Sequence, residues 1–331
     1  MSRLSLVILL GSSVLGGCQE PFSNDDLLFL KSLPSRHDLA FRVPDDEQGL
    51  RSAAAPRAEF HDRAKEISDG LNASIHEAVA VIEDLVTKSQ PTAREDNLRV
   101  YGPFSSGGAE LVLTIARTAT DTTLRPTSTS SLAVVLELFA YALRGRKQGA
   151  PEDWTVLLEG VYAPDPDFSG GLGRVALDFE AARGLGVNIA ERGRFAIGYE
   201  RAETERLELV AVSSPAAESS RPDVVYRFAG ESSGAVDFQF GLRSDLHGDG
   251  AGGSLLETLL VDARYRADRA GRADIVVFDG DLATPVFASE CWSSSLLRVY
   301  FFGSVPELGP PYGSETDCAD PFRSSRFPRQ E

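Results

Sequence analysis

Apolar residues recur with one spacing in an early segment of this chain and with a different spacing in the rest of it. Between residues 57 and 90, apolar side chains recur at steps of three and four positions, and acids, Arg63 and Lys65 occupy the other face. This period predicts one amphipathic helix that ends at the Lys88–Pro91 stretch. We interpret its apolar stripe as a packing surface rather than a cofactor site. The stripe consists of Phe60, Ala64, Ile67, Leu71, Ile75, Ala78, Val79, Ile82 and Val86.

From Asn97 onward the period changes to two, as in the alternating runs that start at Arg174 and Ala235. Strict alternation predicts strands with one apolar and one polar face. The predicted strands are 98–104, 109–119, 132–146, 154–162, 174–180, 195–200, 206–213, 224–229, 235–242, 256–266, 273–280, 285–289 and 296–302. Turn residues such as Gly107-Gly108 and Gly170-Gly171 separate them.

Strands that follow one another without helical pattern between them predict antiparallel hairpins. A sheet with one apolar face must be covered or closed, and an isolated amphipathic helix is marginal in water. The expected fold is therefore mainly β. It is a large antiparallel meander, either a curved sheet or barrel-like, with one N-terminal α-helix packed against it.

The domain layout follows from these patterns. We expect a tether and linker over residues 18–56, the helix over 57–90, the β domain over 97–322 and a polar tail over 323–331. The linker holds Pro, Gly and paired acids such as Asp25-Asp26 without periodicity, so we expect these acids to be solvated.

The first seventeen residues have the pattern of an export signal. Arg3 precedes the apolar run Leu4–Leu10, and the tetrad Leu15-Gly16-Gly17-Cys18 follows a Gly/Ser break. The run is too short to span a membrane, which takes about 20 residues. The tetrad resembles the lipobox of bacterial lipoproteins. That resemblance implies cleavage before Cys18 and acylation of its sulfur and amino group, and Gln19 in place of Asp favours the outer membrane.

The net charge limits the classes of partner that this chain is expected to bind. The net charge of −16 argues against nucleic acid, which needs basic patches. After Leu4–Leu10, the sequence contains no apolar run of 18 or more residues, the length that a membrane-spanning helix needs. The expected attachment to a membrane is therefore through lipidated Cys18, with envelope proteins or lipid as partners.

The number of cysteines is consistent with the expectation that the protein is exported. With Cys18 assigned to lipid, Cys291 and Cys318 remain as one even pair. An oxidising envelope favours a disulfide between them, and free thiols are the alternative. The disulfide would close a loop of about 27 residues and stabilise by roughly 3–4 kcal/mol on the chain-entropy model.

Two motifs resemble functional sites, but the sequence around each does not meet the structural requirements of that site. The pentad Gly230–Gly234 has the letters of a nucleophile elbow around Ser232, yet strand patterns flank it on both sides, so a hairpin turn is expected. The run Asp245–Gly250 suggests a calcium loop, in which His247 would be a poor ligand. Position twelve of that loop is Leu256 where an EF-hand needs Glu, so a hairpin connection is expected.

Candidate chemistry is otherwise sparse. His61 and His76 lie fifteen residues apart on the predicted helix, about 22 Å, so they cannot share a metal. No zinc, P-loop or dinucleotide motif is present. Trp154 and Trp292 are expected to anchor the sheet or core. We therefore predict no catalytic residues, no metal and no cofactor.

The segments Tyr141–Arg146, Trp154–Gly160, Arg264–Asp274, Glu290–Trp292 and Gly303–Cys318 are similar to those of uncharacterised predicted lipoproteins of Gram-negative bacteria. That resemblance carries no established activity.

The leading hypothesis is a non-enzymatic envelope lipoprotein, held by Cys18 at the outer membrane, with a structural or protein-binding role. The alternative is a carrier or acceptor of lipids or lipoproteins, in which the curved sheet holds an acyl chain in an apolar cavity of several hundred cubic ångströms. An envelope hydrolase is a third, weaker hypothesis.

Overall fold

The structure is a computed structural model that describes residues 23–45, 56–124, 132–150, 153–165, 170–186, 193–201, 206–214, 224–231, 233–244 and 256–326. Three α-helices occur in these ranges, α1 (Asn24–Lys31), α2 (Glu59–Lys88) and α3 (Phe179–Gly184), and two 3₁₀ helices span Pro306–Leu308 and Glu315–Asp317. Fifteen strands occur in them: β1 (Ala93–Glu95), β2 (Leu98–Ser106), β3 (Ala109–Leu124), β4 (Leu132–Lys147), β5 (Thr155–Pro164), β6 (Gly171–Asp178), β7 (Arg194–Arg201), β8 (Arg206–Ser214), β9 (Val224–Glu231), β10 (Val236–Ser244), β11 (Glu257–Tyr265), β12 (Gly271–Asp279), β13 (Val286–Trp292), β14 (Arg298–Gly303) and β15 (Tyr312–Gly313).

All fifteen strands form one antiparallel sheet in which every strand pairs with its successor in the chain. The order β1 to β15 is a pure meander, so each ladder is a hairpin ladder. The sheet is curved and unclosed. The predicted mainly β fold with one N-terminal packing helix is confirmed, and β2 to β14 match the thirteen strands that alternation predicts.

The concave face of the sheet packs against α2 in one hydrophobic cluster. The helix buries Phe60, Ala64, Ile75, Val79 and Ile82 of the predicted stripe. Alternate residues of the strands complete the cluster, and Trp292 of β13 is fully buried in it. The apolar residues that recur every 3.6 positions on the helix and every second position on the strands therefore form the two sides of one core.

The start of α2 is fixed to the sheet by Glu290 of β13. The residue before the helix, Ala58, has no side chain that can cap it. Glu290 replaces that cap, because its carboxylate oxygens accept from the backbone N–H groups of Glu59 at 3.0 Å and Phe60 at 2.7 Å. Arg298 donates to the same carboxylate. A negative charge at a helix N-terminus is stabilised by the helix dipole.

The segment expected to be a linker contributes to the core. Leu39, Phe41 and Val43 are buried in the main cluster. Asn72 of α2 holds this segment, since its side chain accepts from the Phe41 N–H and donates to the Phe41 carbonyl, each at 2.8 Å. The alternation Leu39-Ala40-Phe41-Arg42-Val43 was the available signal in the sequence.

Two shorter helices also differ from the expectation. The apolar patch Leu27–Leu30 lies in α1, which begins with a capping box between Ser23 and Asp26. The predicted strand 174–180 stops early because the Asp178 carboxylate accepts from the Ala181 N–H at 2.9 Å and caps α3. A single polar residue therefore ends the strand.

Glycines of β5 and β6 lie under tyrosine rings of the neighbouring strands. A Cβ atom at Gly173 would lie 2.1 Å from the Tyr199 ring, and one at Gly160 would lie 2.3 Å from the Tyr141 ring. Each ring therefore packs directly on the backbone of the neighbouring strand, a position that only glycine allows.

We predict that Gly173→Ala destabilises the fold by about 1–3 kcal/mol, because the added methyl forces the Tyr199 ring out of its site. The matched control is Gly198→Ala on the next strand, where an added Cβ meets nothing within 4 Å. Urea unfolding followed by tryptophan fluorescence measures both. Equal stabilities for the two variants would contradict this packing argument.

Candidate functional site

A series of paired acidic and basic side chains holds α1 against one end of the sheet. We call Asp25, Asp26, Arg99, Arg117 and Glu137 the anchor-end cluster. Asp26 is fully buried, and its carboxylate accepts from Arg99 Nε at 2.6 Å. The expectation that Asp25-Asp26 is a solvated linker pair is therefore wrong for Asp26.

Further contacts hold Arg99 in place. Its guanidinium lies 4.4 Å from the centre of the Phe29 ring and donates to the Leu98 carbonyl at 2.9 Å. Burial alone would raise the pKa of Asp26, but hydrogen bonds from Arg99 and Ser23 and the charge of Arg94 lower it below its usual value. Asp26 is therefore a carboxylate in the folded protein at neutral pH.

The cluster continues across β3 and β4. Asp25 contacts Arg99 and also Arg117, whose Nη1 lies 3.2 Å from the Asp25 carboxylate. Arg117 in turn donates to Glu137 at 2.9 Å. Three strands and the first turn of α1 are joined by these pairs, so the position of Ser23 relative to the sheet is fixed.

Among the described residues, apolar side chains occupy most of the space between α2 and the sheet. The apolar cavity between α2 and the strands has a volume of about 60 Å³ and is lined by Ala78 and Val81 of the helix and by Leu111, Leu143 and Leu177 of the sheet. Pockets that hold small-molecule ligands typically measure about 300–1,000 Å³. This cavity is too small for an acyl chain while α2 stays in place.

A second buried charge network lies on the convex face at β11 to β13. Arg272 and Asp274 are fully buried and paired at 2.7 Å. Arg264 and the Ser289 hydroxyl donate to the same carboxylate, at 2.6 and 2.7 Å. Burial would raise the pKa of Asp274, but the hydrogen bonds and the Arg272 charge lower it below the usual value.

The residues that cover this network belong to what we call the C-terminal strap, residues 315–326. Arg272 donates to the Glu315 carboxylate at 3.0 Å and to the Phe322 carbonyl at 2.9 Å. The Arg326 N–H donates to Asp274 at 3.0 Å. Arg326, expected to belong to a polar tail, therefore contacts the sheet.

Cys291 and Cys318 tie the strap to β13. Their Cα atoms are 5.6 Å apart and the two sulfurs are placed as a disulfide. This is the predicted cysteine pair, and it is buried beside Tyr300. The strap is thus held by one covalent link and by the charge network below it.

His61 occupies an unusual position for an ionisable side chain. It is fully buried, neither ring nitrogen has a hydrogen-bond partner among the described residues, and the ring centre lies 5.8 Å from that of Tyr265 and 5.9 Å from that of Trp292. Burial is the main cause that lowers its pKa to about 4, and the nearby charges of Asp62 and Arg57 act in opposite directions. His61 is therefore a neutral aromatic packing group.

The remaining predicted residues fall into two sets. His76 lies on α2 with His61, and Trp154 lies under the Arg146 guanidinium at 4.5 Å. The other set lies outside the described residues: Cys18, Ser232 and the Asp245–Gly250 run with His247, Asp249 and its glycines. Pairing of β9 with β10 agrees with the hairpin expected around Ser232.

Within the ranges that the structure describes, no three metal-ligating side chains come together, and no helix is long and apolar enough to cross a membrane. Comparison of the chain with protein-family models, with curated proteins and with solved structures found no match. The geometry and the sequence motifs are therefore the basis for a functional proposal.

Sequence reasoning missed the anchor-end cluster and the strap network. Arg99, Arg272 and Asp274 occupy strand positions that alternation alone assigns to a polar or an apolar face. Nothing in the local pattern tells which charges the chain ends will cover. The one usable signal was the N-cap pattern Ser23-x-x-Asp26, which predicts a helix start.

We predict that Arg99→Leu lowers the free energy of unfolding by about 3–5 kcal/mol, because it removes the closest charged partner of the buried Asp26 carboxylate and leaves it only the longer contact with Arg94 at 3.4 Å and the hydrogen bond from Ser23. The control is Arg63→Leu, which removes an exposed pair with Glu66 and should change stability by less than about 1 kcal/mol. Urea unfolding of both proteins at pH 7 tests the difference. An Arg99→Leu protein as stable as the control would show that the cluster is not energetically important.

The buried position of His61 predicts that the free energy of unfolding depends on pH. Since its pKa of about 4 in the folded state is below the unfolded value of 6.5, the unfolded state binds more protons between these limits. Stability is then lost as pH falls from about 6.5 to 4, by at most about 3 kcal/mol. We expect His61→Phe to remove this part of the loss in urea titrations at pH 7 and 4.5.

The control for that titration is His76→Phe, which removes an imidazole from a less buried position of the same helix. It should keep the loss of stability between pH 7 and 4.5. An identical pH dependence of His61→Phe and the unchanged protein would contradict the assignment.

Proposed function

We propose that this chain is a non-enzymatic lipoprotein of the bacterial envelope. Acylated Cys18 would anchor it, with the outer membrane favoured by Gln19, and the folded part would have a structural or protein-binding role. The observation that carries the proposal is the filled concave face. The stripe of α2 and the inner residues of the sheet form one apolar cluster, with a cavity of only about 60 Å³ between Val81 and the facing leucines.

The anchor-end cluster supports the attachment. Four residues lie between Cys18 and Ser23, the first described residue, and the five Cα–Cα steps that join the two span at most about 18 Å. Because Asp25 and Asp26 fix α1 to the sheet, lipid on Cys18 would hold that end of the domain close to the membrane. Two or more acyl chains give stable anchoring without help from the protein surface.

The carrier alternative needs a larger space than the cavity provides. Holding an acyl chain between α2 and the sheet would require α2 to move away from Leu111 and Leu143, and that movement would expose buried residues such as Ile75 and Val79. The hydrogen bonds from Glu59 and Phe60 to Glu290 oppose it. We therefore favour the structural or binding role over lipid transfer.

We expect Cys18→Ala to abolish acylation and to move the protein from the detergent phase to the aqueous phase in a phase partition experiment. Intact mass after purification reports the acyl chains, and the same sample reports any lipid or polypeptide that co-purifies. A Cys18→Ala protein that keeps its mass and stays in the detergent phase would refute the anchor. Stoichiometric free lipid bound to the unchanged protein would favour the carrier instead.

A further inference from the structure

A groove lies on the convex face of the sheet, opposite the face that α2 covers. Its volume of about 550 Å³ is within the range of about 300–1,000 Å³ that is typical of pockets for small molecules. The charged groups that line it are Arg144 of β4, Glu159 of β5 and Arg174 of β6. Small side chains form its floor: Ala116, Ala140, Ala142 and Ala176. The groove therefore combines an apolar floor with charged side chains of both signs.

The register of the strands places these residues on one face. Thr114 of β3 pairs with Ala142 of β4, and Ala142 pairs with Glu159 of β5. Glu159 pairs in turn with Ala176 of β6. Directly paired residues point to the same side of a sheet, and the next residue along β4, Leu143, is buried in the core on the concave side. The groove is therefore separate from the space beneath α2.

The charged groups of the groove are not paired within the protein. Arg144 donates to the Thr114 hydroxyl at 3.2 Å. In the part of the chain that the structure describes, no ion pair involves Arg144, Arg174 or Glu159. Arg146, two residues further along β4, differs because it pairs with Glu110 at 2.7 Å. Three charges that the protein leaves without an ion-pair partner are available to a ligand of complementary charge.

The spacing of these charges limits the ligand. Thr114, which holds the Arg144 guanidinium, and Glu159 are separated by two strand spacings, a distance of about 10 Å. Charge-assisted hydrogen bonds of about 2.8 Å at each end leave about 4 Å between the anionic and the cationic atoms of a ligand. An amine that is joined to a phosphate oxygen by two carbon atoms has this spacing.

The signs of the charges favour a zwitterion over a simple anion. A ligand with only negative charge would be attracted by the two arginines but repelled by Glu159. Arg144 and Arg174 belong to strands on either side of β5. A tetrahedral phosphate has oxygens in several directions and can accept from both guanidinium groups, whereas a carboxylate has both of its oxygens in one plane. A phosphate with a neighbouring ammonium group therefore matches all three side chains.

We propose that this groove binds a phosphoethanolamine group. The phosphate contacts Arg144 and Arg174, the ammonium group contacts Glu159, and the two carbons between them lie on the alanine floor. This group occurs both as the head of a membrane lipid and in soluble phosphodiesters, and the groove recognises the chemistry that the two sources share. The proposal does not depend on a lipid anchor at Cys18.

Alanine methyl groups report directly on the floor of the groove. The full chain with Cys18→Ser, labelled with carbon-13 at its alanine methyls, is titrated with glycerophosphoethanolamine and followed by NMR. We expect the methyl resonances of Ala116, Ala140 and Ala142 to shift with a dissociation constant of about 1 mM. The methyl of Ala273, which is buried on the concave face, should not shift. Glycerophosphoglycerol has the same phosphodiester without the amine and should bind about tenfold more weakly.

Substitutions assign the individual contacts. Glu159→Gln should weaken binding of glycerophosphoethanolamine about tenfold without weakening binding of glycerophosphoglycerol, because it removes only the partner of the amine. Arg144→Gln should weaken binding of both ligands. The matched controls are Glu77→Gln on the exposed face of α2 and Arg227→Gln on the convex face of β9, and neither should change binding. Far-UV circular dichroism and unfolding curves establish that each variant is folded.

The proposal is refuted if the floor methyls do not shift at concentrations tenfold above the expected constant. Equal affinity for the two phosphodiesters, or a Glu159→Gln protein that still prefers the amine, would also overturn it. Vesicles distinguish the two sources of the group. If the Cys18→Ser chain floats with phosphatidylcholine vesicles that contain phosphatidylethanolamine, and not with those that contain phosphatidylglycerol, the ligand is a lipid headgroup. If the titration succeeds and flotation fails, the ligand is a soluble phosphodiester.

Discussion

Contact between the apolar stripe of α2 and the concave face of the sheet is the interaction on which the rest of the structure depends. A fifteen-stranded antiparallel sheet that does not close on itself has an apolar face that must be removed from water. A helix of thirty residues is about 45 Å long and can cover many strands at once. Neither element is stable alone, so the helix and the sheet form as one unit.

Buried charges in this molecule lie where separate segments meet the sheet. Arg99 and Asp26 join α1 to β2, Glu290 joins β13 to the start of α2, and Asp274 lies below the C-terminal strap. A buried pair contributes little to stability compared with an apolar pair of the same shape, but removal of one partner is costly. Such pairs therefore specify where each segment docks more than they add to stability.

The sequence predicts the repetitive part of this fold and not the parts that depend on contacts distant in sequence. Alternation predicts β2 to β14 and the 3.6 period predicts α2, because each residue's face is determined by its neighbours in the chain. β15 has two residues, Tyr312 and Gly313, which is too short for a period to be seen.

The candidate site was less predictable. Asp26 was interpreted as a solvated acid because its partner, Arg99, is 73 residues away. The pairing of Cys291 with Cys318 was predictable because the lipobox-like tetrad sets Cys18 apart, and one pair then remains. Residues 39–43 show that a short alternating run can be hidden in a segment rich in Pro, Gly and acids.

The meander topology has a consequence for the order in which the chain can become structured. Every ladder joins strands that are adjacent in the chain, so each hairpin can add to the previous one during synthesis without waiting for distant sequence. The bonds from Glu59 and Phe60 to Glu290 are different, because they join positions 231 and 230 residues apart. The helix is made first and its N-terminal end is satisfied almost last. A chain that ends before β13 therefore lacks the carboxylate that caps α2, which distinguishes it from a finished one.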